Sequence, residues 1–471
     1  MAHPIPVWLD CDPGHDDAAA ILLAGHTPGL RLLGVSTIGG NQTLAKVTQN
    51  ALDVLDALGL SHIGVVAGQP RPLMRPPLIC PEIHGDTGLD GPGGGRLLPR
   101  SGRKPLPGKA VNVMYAAIAS AYKELQLHER HSDDDGDSDG GGGGGGAAAN
   151  GSGGSSGDGS EGGGDGGPKM SEVGQQGPAT AMFAEEPGPQ QGPAAALRKT
   201  TVGAVRAIGA RKVRLVCTGA LTNTALLLTV YPEVVDWLEV AIMGGCMGVG
   251  NTGPVMEFNI QTDPEAAKIV FESGVPLTMV PLEVTHTVLA NPQILAAIGG
   301  GRGSAAPANA AAAAAAAPLP LVVACPISPF RNTIQQLLLF FAETYKQVFH
   351  FEHPPLHDPV AVAWVIRPSI FECRRMRVDV ETCSSLSYGQ TVCDIWGQSS
   401  RLANVNVALR VDVGEFWELL LAAVARADAV SPLNHDENAP AGGVSELLRA
   451  ASATATAAVA VSGSEHRSVL T

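Results

Sequence analysis

Short apolar runs alternate with amphipathic segments along the first hundred residues. The apolar runs cover residues 7–9, 32–38 and 63–66, while the segments between them, residues 16–25 and 43–59, repeat their apolar positions every three or four residues. The runs predict buried strands and the longer segments predict helices. Because strands joined by such connections pair in parallel with right-handed crossovers, this region predicts a β-α-β-α-β unit with a buried sheet.

The alternation resumes after a predicted helix at residues 110–126 and a long glycine-rich segment. Later strands are predicted at residues 212–217, 240–243, 277–280, 376–380 and 402–409, and later helices at residues 201–209, 222–230, 264–273, 333–349, 358–366 and 415–425. The two parts therefore belong to one fold. We predict an α/β protein with an open, mostly parallel, Rossmann-like sheet and flanking helices.

Three segments have a composition that does not suit a folded core. Residues 133–196 contain 22 of the 58 glycines and eleven acidic residues against one lysine, residues 299–320 include a polyalanine run, and residues 428–471 are rich in Ala, Gly and Ser. Such segments bury too little apolar surface to offset the entropy lost on ordering. We therefore predict a single domain over residues 1–427, interrupted by disordered insertions at 133–196 and 299–320, and a low-complexity tail at 428–471.

The formal net charge of −14 is concentrated in the first of these insertions, which leaves the rest of the chain only mildly acidic. An acidic balance disfavours nucleic acid as a partner. The sequence has no apolar run long enough to span a membrane, no secretion signal at its beginning, and no C-x-x-C pair among its eight cysteines. We expect reduced thiols, no membrane partner and a cytosolic location.

The densest group of polar residues, Asp10-Cys11-Asp12-Pro13-Gly14-His15-Asp16-Asp17, lies between the first strand and the first helix. Pro13 and Gly14 favour a turn, and the last two aspartates open the helix, whose positive end reduces the repulsion between carboxylates without cancelling it. Four carboxylates in eight residues therefore indicate a bound cation. Hard oxygen ligands favour Ca²⁺ or Mg²⁺. The alternative is a solvated cluster that caps the helix.

Polar residues recur at the carboxyl ends of other predicted strands. Asn41 follows the second strand, Thr218 follows the fourth, and Asn251, Glu257 and Asn259 follow the fifth. Ligands of open α/β sheets bind beyond these strand ends. We therefore expect these side chains to share one site with the aspartate cluster, although a turn would also explain any single Asn in a glycine-rich loop.

Eight short motifs follow one another along the predicted domain. They are Asp10 to Asp17, Gly40-Asn41-Gln42-Thr43, Ile83-His84-Gly85, Thr218-Gly219-Ala220-Leu221-Thr222-Asn223, Met243-Gly244-Gly245, Glu257-Phe258-Asn259-Ile260, Asp263-Pro264-Glu265-Ala266-Ala267 and His357-Asp358-Pro359. In type and order they resemble the inosine-uridine type ribonucleoside hydrolases, which are Ca²⁺-dependent N-ribohydrolases. The resemblance implies a small-molecule ribonucleoside substrate that is hydrolysed to ribose and free base. The two insertions depart from the family's pattern.

The resemblance also implies a role for each candidate site residue. Ca²⁺ would be held by Asp12, Asp17, Asp358 and the main-chain carbonyl of Thr218. The ribose hydroxyls would contact Asp16, Asn41, Asn251, Glu257 and Asn259. The nucleobase would lie near His84 and Tyr345, with His357 as its proton donor. We expect a homo-oligomer, either a dimer or a tetramer.

Apart from the resemblance, these residue types suit the hydrolysis of a nucleoside. Cleavage of an N-glycosidic bond passes through an oxocarbenium-like state, which nearby carboxylates stabilise. A carboxylate such as Asp12, beside a metal ion, can also accept the proton of the attacking water. The base leaves more readily when it is protonated, and we expect His357 to supply that proton. The alternative for His357 is a hinge or capping residue before Asp358.

Two other classes of protein are compatible with parts of the sequence. Haloacid-dehalogenase phosphatases also open with an apolar strand and D-x-D, but Gly14 stands where that family has Thr or Val, and the Asp16-Asp17 pair has no place in its motif. A catalytically silent nucleoside-binding protein would not need all the charged residues that hydrolysis requires. The preference between purine and pyrimidine nucleosides stays open.

Overall fold

Eight strands form one sheet in the computed structural model of the chain, which describes residues 3–134, 212–300 and 327–435. They are β1 (Ile5–Cys11), β2 (Leu30–Thr37), β3 (Val65–Ala67), β4 (Val213–Cys217), β5 (Leu238–Met243), β6 (Leu277–Val280), β7 (Phe371–Met376) and β10 (Val405–Val411). A separate antiparallel pair consists of β8 (Val378–Val380) and β9 (Thr391–Cys393). The order across the large sheet is β3-β2-β1-β4-β5-β6-β10-β7, and its neighbours are parallel except β10 and β7. The predicted open, mostly parallel sheet is therefore confirmed.

The strand order reverses direction at the centre of this sheet. From β1 the chain proceeds outward through β2 and β3, and it then returns to the other side of β1 with β4, followed outward by β5 and β6. A crevice for a ligand forms at such a switch point, beyond the carboxyl ends of the central strands. Asp10 pairs with Cys217 there, and the Thr218 amide donates to the Asp10 carbonyl at 2.8 Å. The residues that follow β1 and β4 therefore lie side by side.

Twelve α-helices connect the strands in the described part of the chain. They are α1 (His15–Gly25), α2 (Leu44–Ala57), α3 (Pro81–His84), α4 (Ala110–Asp134), α5 (Thr222–Val230), α6 (Phe258–Thr262), α7 (Pro264–Glu272), α8 (Leu282–Thr285), α9 (Pro292–Ile298), α10 (Pro329–Phe349), α11 (Asp358–Ile366) and α12 (Val413–Val430). Strands β4 and β6 are buried along their whole length, as expected of parallel strands covered by helices on both faces.

Two buried helices begin at the crevice and pack against each other. α1 begins at His15, and α11 begins at Asp358 with Pro359 next to it, where proline costs no intrahelical hydrogen bond. Asp16 and Asp17 lie in the first turn of α1. The positive ends of both helix dipoles therefore point at the same group of carboxylates.

Several elements differ from the prediction. The β-like run at residues 376–380 is divided between β7 and β8 at Arg377, whose buried guanidinium bonds Asp379 and Glu272. Strand β7 lies antiparallel at the edge of the sheet, and most of it was not predicted. Helices α3, α6, α8 and α9 were also missed, because segments of four to seven residues are too short to show a helical period.

Ordered structure extends past residue 427, where the predicted domain ends. Helix α12 continues to Val430, and a 3₁₀ turn follows at Pro432–Asn434. Between them, the buried Ser431 hydroxyl donates to the Ala57 carbonyl at 2.7 Å. This bond ties the end of the described chain to α2, so the first residues of the predicted tail belong to the fold.

The predicted insertions at 133–196 and 299–320, the helix at 201–209 and most of the tail lie outside the described residues. Described residues up to His128 and from Lys212 onward belong to one compact unit. Among the helices that the structure describes, none is both long and apolar enough to span a membrane.

Candidate active site

A cavity of about 320 Å³ opens at the carboxyl ends of β1, β4 and β5. It is lined by the five candidate ribose ligands, Asp16, Asn41, Asn251, Glu257 and Asn259. It is also lined by the candidate metal ligands Thr218 and Asp358 and by the residues expected near the nucleobase, His84, Tyr345 and His357. Asp12 and Asp17 lie behind this lining, where they bond Asn41 and Thr218. The structure thus brings together all the candidate residues.

The carboxylate of Asp12 fits between two glycines. A β-carbon on Gly219 would lie 2.5 Å from Oδ1, and one on Gly40 would overlap Oδ2, so only glycine leaves room at both positions. Oδ2 accepts the main-chain amide of Asn41 at 2.6 Å, whereas Oδ1 is buried and has no hydrogen-bond partner among the described residues. Burial, followed by the charge of Asp17, raises the pKa of Asp12 well above its ordinary value. An orphaned oxygen of this kind is costly unless a ligand satisfies it.

Asp17 is held by three donors. Its Oδ2 accepts the Gly14 amide at 3.0 Å and the side-chain amide of Asn41 at 3.1 Å, and its Oδ1 accepts the Thr218 hydroxyl at 2.8 Å. These bonds favour the ionised form, but burial outweighs them and raises the pKa of Asp17. Thr218 therefore orients Asp17 through its hydroxyl, while its main-chain carbonyl accepts the side-chain amide of Asn259 at 2.9 Å.

Asp16, Asp17 and Asp358 each offer a carboxylate oxygen within 4.8 Å of those of the other two. All three residues are buried. Burial, reinforced by the neighbouring carboxylates, raises the pKa of Asp16 to about 7 and that of Asp358 well above its ordinary value. Such oxygens are the donors that a hard divalent cation prefers. The group contains the candidate ligands Asp17 and Asp358 and has Asp16 in place of Asp12, whose Oδ1 is buried without a hydrogen-bond partner among the described residues. The residues present therefore fit the expected metal.

Main-chain groups hold the polar side chains that follow β5. Glu257 caps α6, and its carboxylate accepts three main-chain amides at 2.9 to 3.0 Å. Asn259 donates its side-chain amide to two main-chain carbonyls at the ends of β4 and β5, at 2.9 and 3.1 Å. The side-chain carbonyl of Asn251 accepts the Phe258 amide at 2.9 Å. These hydrogen bonds therefore orient this part of the lining without a substrate.

His357 uses both of its ring nitrogens. Nδ1 lies 2.7 Å from the Thr285 hydroxyl, and Nε2 lies 2.7 Å from the Tyr345 hydroxyl. Burial lowers the pKa of His357 and raises that of Tyr345, so the neutral forms of both groups are favoured. The three side chains form a hydrogen-bonded chain from α8 to the cavity, an arrangement that can pass a proton.

His84 ends α3 and belongs to a stack of rings. Its centroid lies 5.5 Å from that of His15 and 5.6 Å from that of Phe341. Its Nδ1 lies 3.2 Å from Nδ1 of His15, whose Nε2 lies 2.9 Å from the Asp90 carbonyl. The stack thus connects α3 with α1 and α10 at the cavity.

A sequence model described as inosine-uridine preferring nucleoside hydrolase matches residues 7–128 and 151–418. The chain belongs to this family. A probable ribonucleoside hydrolase from Dictyostelium discoideum is 36% identical over 423 residues, which cover 89% of this chain and 94% of that protein. The pyrimidine-specific ribonucleoside hydrolase RihA from Enterobacter sp. is 31% identical over 427 residues, 90% of this chain and 98% of that protein. The solved structure of a purine-preferring ribonucleoside hydrolase from Gardnerella vaginalis has the same fold, with a TM-score of 0.61 and 21% identity over 90% of this chain and 100% of that one.

As a nucleoside hydrolase, the chain is an enzyme that acts on N-glycosyl compounds, and its substrate is a small ribonucleoside. The family is metal-dependent, in agreement with the buried aspartates. The predicted family and reaction class are confirmed. Neither the comparisons nor the described residues favour a phosphatase or a silent binding protein.

The nucleoside hydrolase cavity also contains residues that sequence reasoning missed. Phe341, Val348 and Phe349 line it together with Tyr345, and Cys80 lines it from the residue before α3. In the sequence, the signal for Phe341, Tyr345, Val348 and Phe349 was their helical spacing along α10. That spacing indicates a buried face without saying what the face packs against.

Asp10, the first of the four clustered carboxylates, does not line the cavity. Its Oδ1 accepts the Ser36 hydroxyl at 2.5 Å and the side-chain amide of Asn223 at 2.8 Å. Burial raises the pKa of Asp10 to about 7. Asp10 therefore supports the ends of β1 and β2 from behind the site.

Proposed function

We propose that this nucleoside hydrolase uses Ca²⁺ to cleave the N-glycosidic bond of inosine, uridine and related ribonucleosides, as a step of nucleoside salvage and catabolism. One observation carries the proposal: a single cavity is lined by two chemically different sets of side chains, which we call its carboxylate wall and its aromatic wall. The carboxylate wall consists of Asp16, Asn41, Glu257, Asn259 and Asp358. The aromatic wall consists of His84, Phe341, Tyr345, Phe349 and His357. A ribose and a nucleobase require these two environments.

In this proposal Asp12, Asp17, Asp358 and the main-chain carbonyl of Thr218 hold the cation. Support comes from the orphaned Oδ1 of Asp12 and from the Thr218 carbonyl, which uses one of its two lone pairs for Asn259. Ca²⁺ accepts a mixture of carboxylate and main-chain carbonyl oxygens in a flexible geometry, whereas Mg²⁺ demands near-ideal octahedral geometry and usually keeps several waters. When bound, the cation would offset the repulsion between carboxylates and lower the pKa of water in the site.

Asp16, Asn41, Asn251, Glu257 and Asn259 bind the ribose hydroxyls in this account. The hydrogen bonds that already fix the last three limit the entropy lost on binding. As the glycosidic bond breaks, positive charge develops on the sugar, and the carboxylates of Asp16 and Glu257 stabilise it.

Asp12 is the proposed base. Its Oδ2 uses one lone pair for the Asn41 amide and Oδ1 has no hydrogen bond among the described residues, so the carboxylate keeps a lone pair for a proton besides the one that would hold the cation. The attacking water would therefore lose its proton to Asp12 while it bonds to the anomeric carbon.

His357 is the proposed donor of the proton that the leaving base takes. Because Nε2 lies 2.7 Å from the Tyr345 hydroxyl, an imidazolium at His357 can give its Nε2 proton to that hydroxyl oxygen while the hydroxyl gives its own proton to the base, which leaves the imidazole and the phenol neutral. Thr285 bonds the opposite nitrogen and so fixes the orientation of the imidazole. His84 contacts the base from α3.

Three incubations of the purified full-length protein with Ca²⁺ test this proposal, one each with uridine, inosine and p-nitrophenyl phosphate. We expect free base and ribose from at least one nucleoside and no phosphate from the ester. Nucleoside binding without ribose release would contradict hydrolysis in favour of a silent binding protein. Phosphate release would favour a phosphatase.

We also propose a cytosolic homodimer or homotetramer. The seven cysteines in the described ranges are free thiols, which supports the location, and the oligomer is what the resemblance to the family implies. Light scattering of the purified protein tests the oligomer. A mass equal to the 48.3 kDa of one chain would contradict it.

A further inference from the structure

The segment between β3 and α3, residues 68–80, reaches the cavity with little structure of its own. It forms neither strand nor helix, four of the ten residues 70–79 are prolines, and most of these ten residues are exposed. A segment with few buried contacts has low local stability. Its position therefore depends on a few contacts with other elements.

Arg75 makes the strongest of these contacts. Its guanidinium donates to both carboxylate oxygens of Glu265, at 2.7 and 3.1 Å, and to the Thr382 carbonyl at 2.5 Å. Its Cζ also lies 4.5 Å from the centroid of the Tyr388 ring. A bidentate ion pair combined with stacking fixes the planar guanidinium in one orientation. One side chain thus ties the middle of the segment to two distant parts of the chain.

The first of these parts is the junction between α6 and α7. Glu265 lies in the first turn of α7, and α6 contains Asn259 of the carboxylate wall. Between the two helices, the buried Asp263 carboxylate accepts the Leu73 amide at 2.8 Å. Two residues of the segment, Leu73 and Arg75, are therefore attached next to the helix that positions the ribose ligands.

The second part is the loop between β8 and β9, which contains Thr382 and Tyr388. This loop packs on α6 at Gly389, where a β-carbon would lie 2.6 Å from Cα of Gln261. Gly389 also has a φ of +90°, a conformation that favours glycine. Both sets of partners of Arg75 therefore belong to the surroundings of α6.

The other end of the segment leads into α3, which carries His84 of the aromatic wall. α3 consists of one turn, from Pro81 to His84, and so short a helix is not held by its own hydrogen bonds. Directly after it, the Gly85 carbonyl accepts the side-chain amide of Gln42 at 3.0 Å. The position of its first residue depends on the segment that precedes it.

Two features connect Arg75 with the start of α3. Pro76 and Pro77 follow Arg75 directly, and the fixed φ of proline limits how this stretch can bend. The Cys80 amide then donates to the Asn41 carbonyl at 3.2 Å. A displacement at Arg75 is therefore passed on to α3.

We propose that Arg75 is a positioning residue that holds α3, and with it His84, at a fixed distance from the ribose ligands on α6. The inference rests on the proposed function, in which a nucleoside contacts both walls at once. A nucleoside spans this distance, whereas ribose contacts only the carboxylate wall. Loss of Arg75 therefore weakens the binding of a nucleoside and leaves that of ribose unchanged.

Kinetics of the full-length protein with Ca²⁺ and uridine, with ribose as a competitive inhibitor, test this proposal. In Arg75→Ala we expect kcat/KM for uridine to fall at least ~10-fold, while the inhibition constant of ribose stays at its wild-type value. Wild-type kcat/KM in Arg75→Ala would overturn the proposal. An inhibition constant of ribose that rises by the same factor would also overturn it, because a general loosening of the fold affects both ligands.

Arg103→Ala is the matched control. The Arg103 side chain is 26% exposed, as is that of Arg75, and it also pairs with a carboxylate, that of Asp56, and donates to a main-chain carbonyl, that of Ile63. None of these three residues lines the cavity. We expect wild-type values for uridine and ribose. A loss for uridine as large as that in Arg75→Ala would overturn the specific role of Arg75.

The ion-pair partner tests whether Arg75 acts through α7. Glu265→Ala removes the carboxylate and should also weaken uridine binding without affecting ribose. If both residues act through one contact, the double variant should lose no more than Arg75→Ala alone. Losses that multiply in the double variant would overturn the proposal.

Hydrogen exchange separates this inference from the proposed function, because it needs no turnover. In the unliganded protein, the amides of residues 78–84 should exchange faster in Arg75→Ala than in the wild type, while those of α6 should not change. Exchange of residues 78–84 at the wild-type rate would overturn the inference even if uridine is hydrolysed. If the wild-type protein releases no ribose, the proposed hydrolysis fails, and the exchange rates still decide whether Arg75 holds α3.

Discussion

The carboxylate wall and the aromatic wall of the cavity are built in different ways. Residues of the carboxylate wall directly follow parallel strands or lie at the starts of helices, so one short segment supplies both a side chain and the groups that orient it. Except for His357, the aromatic wall forms where α10 packs on α3, and the Thr344 hydroxyl donates to the Ile83 carbonyl across 261 positions of sequence. Local backbone thus positions the groups that act on the sugar, and tertiary packing positions those that face the base.

The largest loss of turnover is expected when Asp12, which lies behind the carboxylate wall, loses its charge without losing its shape. Asp12→Asn keeps the size of the side chain but removes both the base and one cation ligand, so turnover should fall at least ~10²-fold from base catalysis alone. The measurement is kcat for ribose release, with circular dichroism as the check on folding. Asp53→Asn changes another buried carboxylate, ion-paired with Arg96 away from the cavity, and should keep turnover. Ribose release at the wild-type rate by Asp12→Asn would exclude Asp12 as the base.

Displacing the Asp12 carboxylate should reduce turnover nearly as much as removing its charge. In Gly219→Ala the added methyl group would lie 2.5 Å from Oδ1 of Asp12 and 2.7 Å from Ile38, so the carboxylate must move. A shift of ~1 Å in a catalytic group can cost ~10²-fold in rate. Gly29→Ala is the matched control, since its methyl group would meet nothing within 4 Å. If both alanine variants release ribose equally fast, the fit of Asp12 between glycines has no bearing on catalysis.

A comparison of two substrates separates the contribution of the aromatic wall to turnover from that of the carboxylate wall. Nitrophenyl riboside has a leaving group that departs without a proton, whereas inosine needs one on its base. His357→Ala should therefore lose ~10²-fold or more in kcat/KM with inosine and far less with the riboside. If His357 only orients Asp358, kcat/KM should fall by the same factor for both substrates. Equal losses would refute the role of His357 as the acid.

The smallest effect on turnover is expected from a change outside both walls. Deletion of residues 133–196 should leave kcat and KM for uridine unchanged, because the segment is rich in glycine and acidic residues, and loop length costs little free energy. Kinetics of the deletion variant check this. A variant that folds but no longer cleaves nucleosides would show that the segment contributes to the site.

The carboxylate wall and the aspartates behind it could be predicted because their motifs are continuous in sequence. Asp12 and Asp17 stand in one turn after β1, and the apolar run of β1 with its parallel neighbours placed Thr218 beside them. Parallel strands buried on both faces give strong apolar runs, so the succession of central strands and helices along the chain could also be predicted.

The aromatic wall and the sheet edge could not be predicted in the same way. The apolar face of α10 indicated burial, but which element covers it depends on contacts between distant segments, as Phe341 and His84 show. Strand β7 has mixed burial and therefore no clear pattern. Asp10 was grouped with the other carboxylates by charge, yet its side chain bonds Ser36 and Asn223.

Removal of the cation tests the central claim most directly, because the carboxylate wall is expected to work only when its charge is offset. Turnover of uridine and the melting temperature should be measured before chelation, after exhaustive chelation and after Ca²⁺ is restored. The account predicts that chelation abolishes ribose release and lowers the melting temperature, since a ligand at 100 times its Kd adds ~2.7 kcal/mol to the free energy of unfolding, and that Ca²⁺ restores both. Full activity and an unchanged melting temperature after chelation would contradict it.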